Sequence, residues 1–437
     1  MYWETPSATG GPMYASTIRR PIRAGGTHTL IRAIGLAVLV GSGSLAGIAV
    51  RAQEACAVLA GGLRSPIGSV LTKQGNLLVS ETGITNIPAS GRVSIVGLDG
   101  SRRTLLDGLP QGTNAAGGDA SGPNAISMRG RTVYVAIGQG DTVILGPVAD
   151  SLLPNPNVSS PIFSSILAIH LSAAAEKKTN GFMLTEQDQM KLAGGKKVKL
   201  SNGSGDKITV EMIVNFADYE SEPLPEVPGN VRNSNPFDVI AVKQNLYVTN
   251  GGLNRLVKVN LRSGAYADLA IFERIQNLPG AAGPPSVEAV PTGIAYSRGA
   301  LLVSLLSGGP FLPGVSRIKT VDPVTGDQSD FITGLRTAID VLPVREHRDT
   351  DYLVLENNFA PAPPFPPTGA GVKLFETPGS SGTLVSGCML DRPTSMSLDK
   401  RSGTLYVTEL LQGTVVKVPL KGDDQDAQDE DQEVPTT

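Results

Sequence analysis

The chain of 437 residues is short of the residues that most often carry chemistry. Aromatic residues make up only 5%, with a single tryptophan, so a cage of stacked rings for bases or sugars is not expected. Histidine occurs three times, at His28, His170 and His347. No histidine-rich metal site and no Ser-His-Asp triad can be assembled from these three. Lysine and arginine (37) nearly balance aspartate and glutamate (40), which leaves no basic footprint for nucleic acid. No nucleophile elbow, phosphate loop or dinucleotide fingerprint stands in a strand–turn–helix setting.

What the chain has in quantity is glycine (51) and proline (32), the punctuation of a turn-rich all-β protein. The stretch from Pro291 to Leu335 shows the unit most clearly. Pro291 to Tyr296, Ala300 to Leu306, Ser316 to Asp322 and Ser329 to Leu335 are four short apolar or alternating runs separated by turn residues. That is the pattern of a four-stranded antiparallel meander, which needs neighbours of its own kind to bury its faces. The same phrase starts again at Pro66, Pro123, Pro236, Ala338 and Pro393. The second repeat carries an insertion of about 171–207, in which Thr185 to Ala193 reads as one or two turns of helix.

The last repeat stops after three strands, ending near Val418, and Ala57 to Leu63 supplies a fourth with the Gly-Leu ending of the others. The expected fold is therefore an all-β six-bladed β-propeller, closed by an N-terminal strand that completes the last blade. In this layout Cys56 opens a strand of blade six and Cys388 closes one of blade five, at opposite ends of neighbouring blades. Six residues of strand would hold them roughly 20 Å apart. A disulfide needs α-carbons within about 7 Å. The reading is against the bond, and its presence would count against the strand register.

The two ends read differently from the middle. Arg19, Arg20, Arg23 and Arg32 precede an apolar, small-residue stretch from Ile34 to Val50, and residues 1–52 read as a signal peptide with a long basic leader. The alternative is a retained membrane anchor. Residues 53–420 form the propeller, and residues 421–437, with seven acidic side chains, read as a solvated acidic tail. The Pro-rich run Ala360 to Thr368 reads as a stiff spacer. The protein is expected to be exported and monomeric, with a small molecule or an envelope protein as partner, and to meet a membrane only through its N-terminal segment.

Inner strands start, and second strands end, around one mouth of the central channel. Those positions hold Glu81, Asn124, Thr292, Asn235, Asp238, Asn250, Asp340, Glu356, Asn357, Thr394 and Glu409. Oxygen donors converging there suit calcium, while the same residue types also cap turns and strand ends. Asp218-Tyr219-Glu220, followed by Val231 to Asp238, is a polar segment able to lie over the mouth as a binding surface.

Asp218-Tyr219-Glu220, Asn233-Ser234-Asn235-Pro236-Phe237-Asp238 and the blades ending in Gly-Leu together resemble the ScyD/ScyE family, exported bacterial proteins with NHL-like six-bladed propellers. The resemblance runs from about Cys56 to Leu420. It implies an exported accessory role and carries over no site residues. The candidate ligand or partner surface, Asp218, Tyr219, Glu220, Asn250, Glu356, Asn357 and Glu409, rests on the mouth positions and the polar segment. A more distant likeness is to calcium-dependent lactonases of the gluconolactonase and paraoxonase type. It implies metal donors at Glu81, Asn124, Asn235 and Asp340 and hydrolysis of a lactone or ester, with Glu81 or Asp340 handling protons. The histidines that paraoxonases add are missing.

Overall fold

A computed structural model describes residues 56–115, 118–346, 349–358 and 369–420. The signal segment, the acidic tail, the Pro-rich run and His347 lie outside the described residues. Six antiparallel sheets follow one another along the chain. Their inner strands are Pro66–Leu71, Pro123–Arg129, Pro236–Val242, Pro291–Ser297, Ala338–Glu346 and Pro393–Asp399. Blade six is closed by Ala57–Ala60, which pairs antiparallel with Thr414–Pro419. The protein is a six-bladed β-propeller whose last blade is completed by its first strand.

Burial explains the sequence pattern. The second strands, such as Asn76–Glu81 and Asn245–Asn250, are apolar at consecutive positions rather than at alternate ones, because neighbouring blades cover both faces. The apolar core is divided accordingly into six clusters, one between each pair of adjacent blades. Tyr134, Ala136, Val239 and Val248, for example, seal blade two to blade three, and Leu77, Val79, Tyr406 and Val415 seal blade one to blade six. Every inner strand carries a bulge between its first and fourth residues, which turns the backbone there toward the channel.

A ring of side-chain hydrogen bonds joins the blades at the starts of their inner strands. The Ser80 hydroxyl donates to the Asn124 carbonyl, and Asn124 Nδ2 donates to the Pro236 carbonyl at 2.7 Å. Thr249 Oγ1 reaches the Thr292 carbonyl at 2.6 Å, and Thr292 Oγ1 the Ala338 carbonyl at 3.5 Å. Asn357 Nδ2 donates to the Pro393 carbonyl at 2.7 Å, and Thr394 Oγ1 closes the circle on the Pro66 carbonyl at 3.2 Å.

Between the last two strands of blade two lie the helices Ala173–Lys178 and Glu186–Ala193, the second with Thr185 and Asp188 forming a capping box. The short strand Phe182–Met183 crosses over to pair in parallel with the outer strand of blade one, at Leu106 and Asp107. The buried Glu176 carboxylate accepts from Arg131 and Thr72, both at 2.6 Å, and so ties the inserted segment to both blades.

Cys56 and Cys388 are joined by a disulfide, with α-carbons 5.6 Å apart, against the sequence expectation. The strand register is nevertheless the expected one. The error lay in placing each cysteine at the tip of a full-length strand. The outer strand of blade five is only Thr383–Leu384, and Cys388 lies beyond it on the segment that leads into blade six. Cys56 precedes a closing strand of only four residues. Both cysteines pack against the apolar cluster shared by blades five and six, where the two segments meet.

Candidate functional site

The third residue of each inner strand lies within the bulge or at its end. Four blades place Gly68, Ala125, Gly293 and Ser395 there, and blades three and five place Asp238 and Asp340. Backbone amides orient both carboxylates. Asp238 Oδ1 accepts from Val239 N at 2.7 Å, and Oδ2 accepts from Ile294 N of blade four at 3.0 Å. Asp340 repeats the arrangement with Val341 N at 2.8 Å and Met396 N of blade six at 2.8 Å. Each oxygen therefore carries one fixed donor and has a further lone pair free to accept. Gly293 lies between the two: a β-carbon there would stand 2.7 Å from Asp340 Cα and Oδ1, so only glycine lets these strands approach so closely.

Protein encloses both carboxylates except where they meet the channel. Burial pushes Asp238 up to about 7, offset in part by the Ile294 and Val239 amides. Burial pushes Asp340 up to about 8, with the Asp238 charge adding to it and the Met396 and Val341 amides opposing. They line a cavity of about 330 Å³ walled by the third to sixth residues of the inner strands, with Lys400 at its far end. Of the oxygen donors expected at one mouth, only Asp238 and Asp340 are among its walls. The cavity belongs to the opposite end of the channel, on the side of the hairpins between first and second strands.

The residues expected at the other mouth have work inside the blades. Glu81 is fully buried; Arg92 Nε reaches its Oε1 at 2.9 Å and Arg92 Nη2 its Oε2 at 2.5 Å. The Ser94 hydroxyl and the Arg64 amide complete its shell. Glu356 accepts from Arg336 N at 2.8 Å and pairs with Lys373. Glu409 accepts from Asp391 N and Thr414 Oγ1, at 2.8 and 2.7 Å. Asn250 Oδ1 accepts from Asn235 N at 2.9 Å. All four end a second strand and clamp the connection that enters their own blade. They recur at one position in four of the six blades, after Val-Ser, Val-Thr, Val-Leu and Val-Thr.

Asn124 and Asn235 do meet: Asn124 Nδ2 lies 3.2 Å from Asn235 Oδ1, which also accepts from Gln139 N at 3.3 Å. Glu81 is engaged by Arg92, Ser94 and Arg64, whereas Asn124 also donates to the Pro236 carbonyl. Among the described residues no group of three or more His, Cys, Asp or Glu side chains is placed to hold a metal ion.

The polar segment before blade three forms a two-stranded ribbon, Tyr219–Ser221 against Val231–Asn233. Glu220 makes a two-pronged ion pair with Arg255, both contacts 2.6 Å, and Tyr219 is exposed. Burial raises the Asp218 carboxyl above its ordinary value, opposed by a hydrogen bond from Ser164. Asp218 borders a separate surface cavity with Glu186 and Gln189. These three residues do not converge with one another or with the channel pair.

No family model matches the chain, and no curated protein matches it in sequence. Among solved structures it is similar to the soluble aldose sugar dehydrogenase of Escherichia coli, at 11% identity over 84% of this chain and 99% of that one, with a TM-score of 0.45. It is also similar to an auxiliary nutrient binding protein of Bacteroides thetaiotaomicron, at 9% identity over 82% of this chain and 69% of that one, with a TM-score of 0.43.

Proposed function

We propose that the protein is an exported binding propeller of the ScyD/ScyE kind that takes a small cationic or hydrogen-bond-donating molecule into the hairpin end of its channel. One observation carries the reading: two carboxylates occupy a channel position that the other four blades fill with glycine, alanine, glycine and serine. The fold accepts a residue without charge there. Burying two carboxylates beside one another is unfavourable without a partner, and a donor placed between them relieves the cost. The disulfide between Cys56 and Cys388 supports export, since such bonds persist in oxidising compartments.

The test is calorimetric titration of the purified propeller with a panel of primary amines and polyols, repeated with Asp238→Asn and Asp340→Asn. A bound compound whose affinity falls at least tenfold in both variants supports the reading. A panel without a binder, or a binder indifferent to both substitutions, overturns it.

A further inference from the structure

The channel cavity is charged at both ends, with opposite signs. Asp238 and Asp340 mark its depth, and Lys400, in the hairpin of blade six, marks its mouth. A second cavity of about 400 Å³ adjoins that mouth and shares Tyr296, Pro343 and Lys400 with the first. It is lined in addition by Arg298, from the hairpin of blade four. Arg298 Nε donates to Thr350 Oγ1 at 3.1 Å, and Arg298 also borders a cavity of about 860 Å³ with Thr350, Asp351 and Glu376. The acid next to Lys400 is otherwise engaged: Asp399 accepts from Arg401 N at 3.0 Å and from Ser402 Oγ at 2.9 Å. The Lys400 ammonium has no ion-pair partner among the described residues.

Between the two ends the wall is mostly apolar, with Ile126, Val239, Ile240, Ala295, Leu342 and Met396 lining it. A ligand that satisfies the whole cavity needs a cation at its inner end, a hydrocarbon middle and an anion at its outer end. We propose that the channel ligand is a linear zwitterion, of the ω-amino acid or short-peptide type, that enters ammonium first and leaves its carboxylate between Lys400 and Arg298. This inference rests on the channel reading above and narrows it.

Geometry sets the length. Lys400 lies four positions beyond Met396, whose amide binds Asp340, and one past the end of the strand at Asp399, a rise of roughly 13 Å. The flexible lysine stem shortens the distance between the charges to on the order of 10 Å. A single amino acid with both charges on one carbon cannot reach both ends.

The experiment titrates the propeller with glycine, γ-aminobutyrate, ω-aminohexanoate, ω-aminooctanoate and ω-aminododecanoate. The N-acetyl and methyl ester forms of the best binder serve as controls. Expected is a maximum in affinity at intermediate length, with at least a tenfold loss on acetylation. A similar loss is expected on esterification, and Lys400→Gln should weaken the free acid but not the ester. Simple alkylamines binding as tightly as the amino acids, with Lys400→Gln without effect, would overturn the zwitterion inference and leave the channel reading standing. Should no member of the series and no amine or polyol bind, both fall together.

Discussion

Asp238 and Asp340 reach the same channel from blades three and five, on either side of Gly293, and each staples its own blade to the next through a backbone amide, Ile294 N and Met396 N respectively. Stapling explains their orientation. Burial raises the proton affinity of both.

The first prediction concerns pH. Both carboxyls bind protons more tightly in the folded chain than in the unfolded one, where they titrate near 3.9. Their contribution to stability is therefore complete below about pH 4 and is lost as pH rises through about 7 and 8. Asp238→Asn and Asp340→Asn should flatten the fall in melting temperature between pH 5 and 8.5. The difference from wild type should grow with pH, to on the order of a few kcal/mol. Melting curves of the single and double variants that stay parallel to wild type across this range would contradict it.

Glu81 is expected to stabilise blade one rather than to bind anything. Glu81→Leu strands the Arg92 guanidinium, whose side chain is only 9% exposed, and should cost about 3–5 kcal/mol in urea unfolding. Adding Arg92→Met should restore much of that loss, because the pair is then replaced by apolar groups. Ligand affinity of the folded fraction should not change in the double variant.

The disulfide closes a loop across 332 residues and locks blade six to the segment leaving blade five. In the chain-entropy view it removes about 5 kcal/mol of unfolded-chain freedom. The Cys56→Ser/Cys388→Ser variant, or wild type under reductant, should melt several degrees lower. Peptide mapping without reductant should recover the two cysteine peptides joined.

Gly293→Ala drives a methyl group against Asp340 and should destabilise the protein by about 1–3 kcal/mol. It should also weaken any channel ligand, since Asp340 must shift. Gly203→Ala, whose added methyl meets nothing within 4 Å, is the matched control and should be close to neutral.

The blade phrase was legible because local physics writes it. A two-sided apolar run in the second strand recurs at each repeat, proline starts five of the six inner strands, and the clamps Glu81, Asn250, Glu356 and Glu409 recur in four blades. Their purpose was not legible: a carboxylate that ends a strand looks the same whether it binds an ion or its own blade. Arg298, Lys400 and the hydroxyl groups of Ser69, Ser127 and Ser395 escaped notice because nothing local tells which end of the channel is hollow.

The amino-acid sequence by itself determined the number of blades, their strand order and the strand exchange that closes the ring, since each depends on spacing along one stretch of chain or on a strand missing at one end and present at the other. Only the tertiary structure decided that Cys56 meets Cys388, that Glu81 is spent on Arg92, and that Asp238 and Asp340 share a cavity with Lys400. Those outcomes depend on distances between segments remote in sequence, and on how two short outer strands release the chain, and hydrophobic periodicity does not encode either.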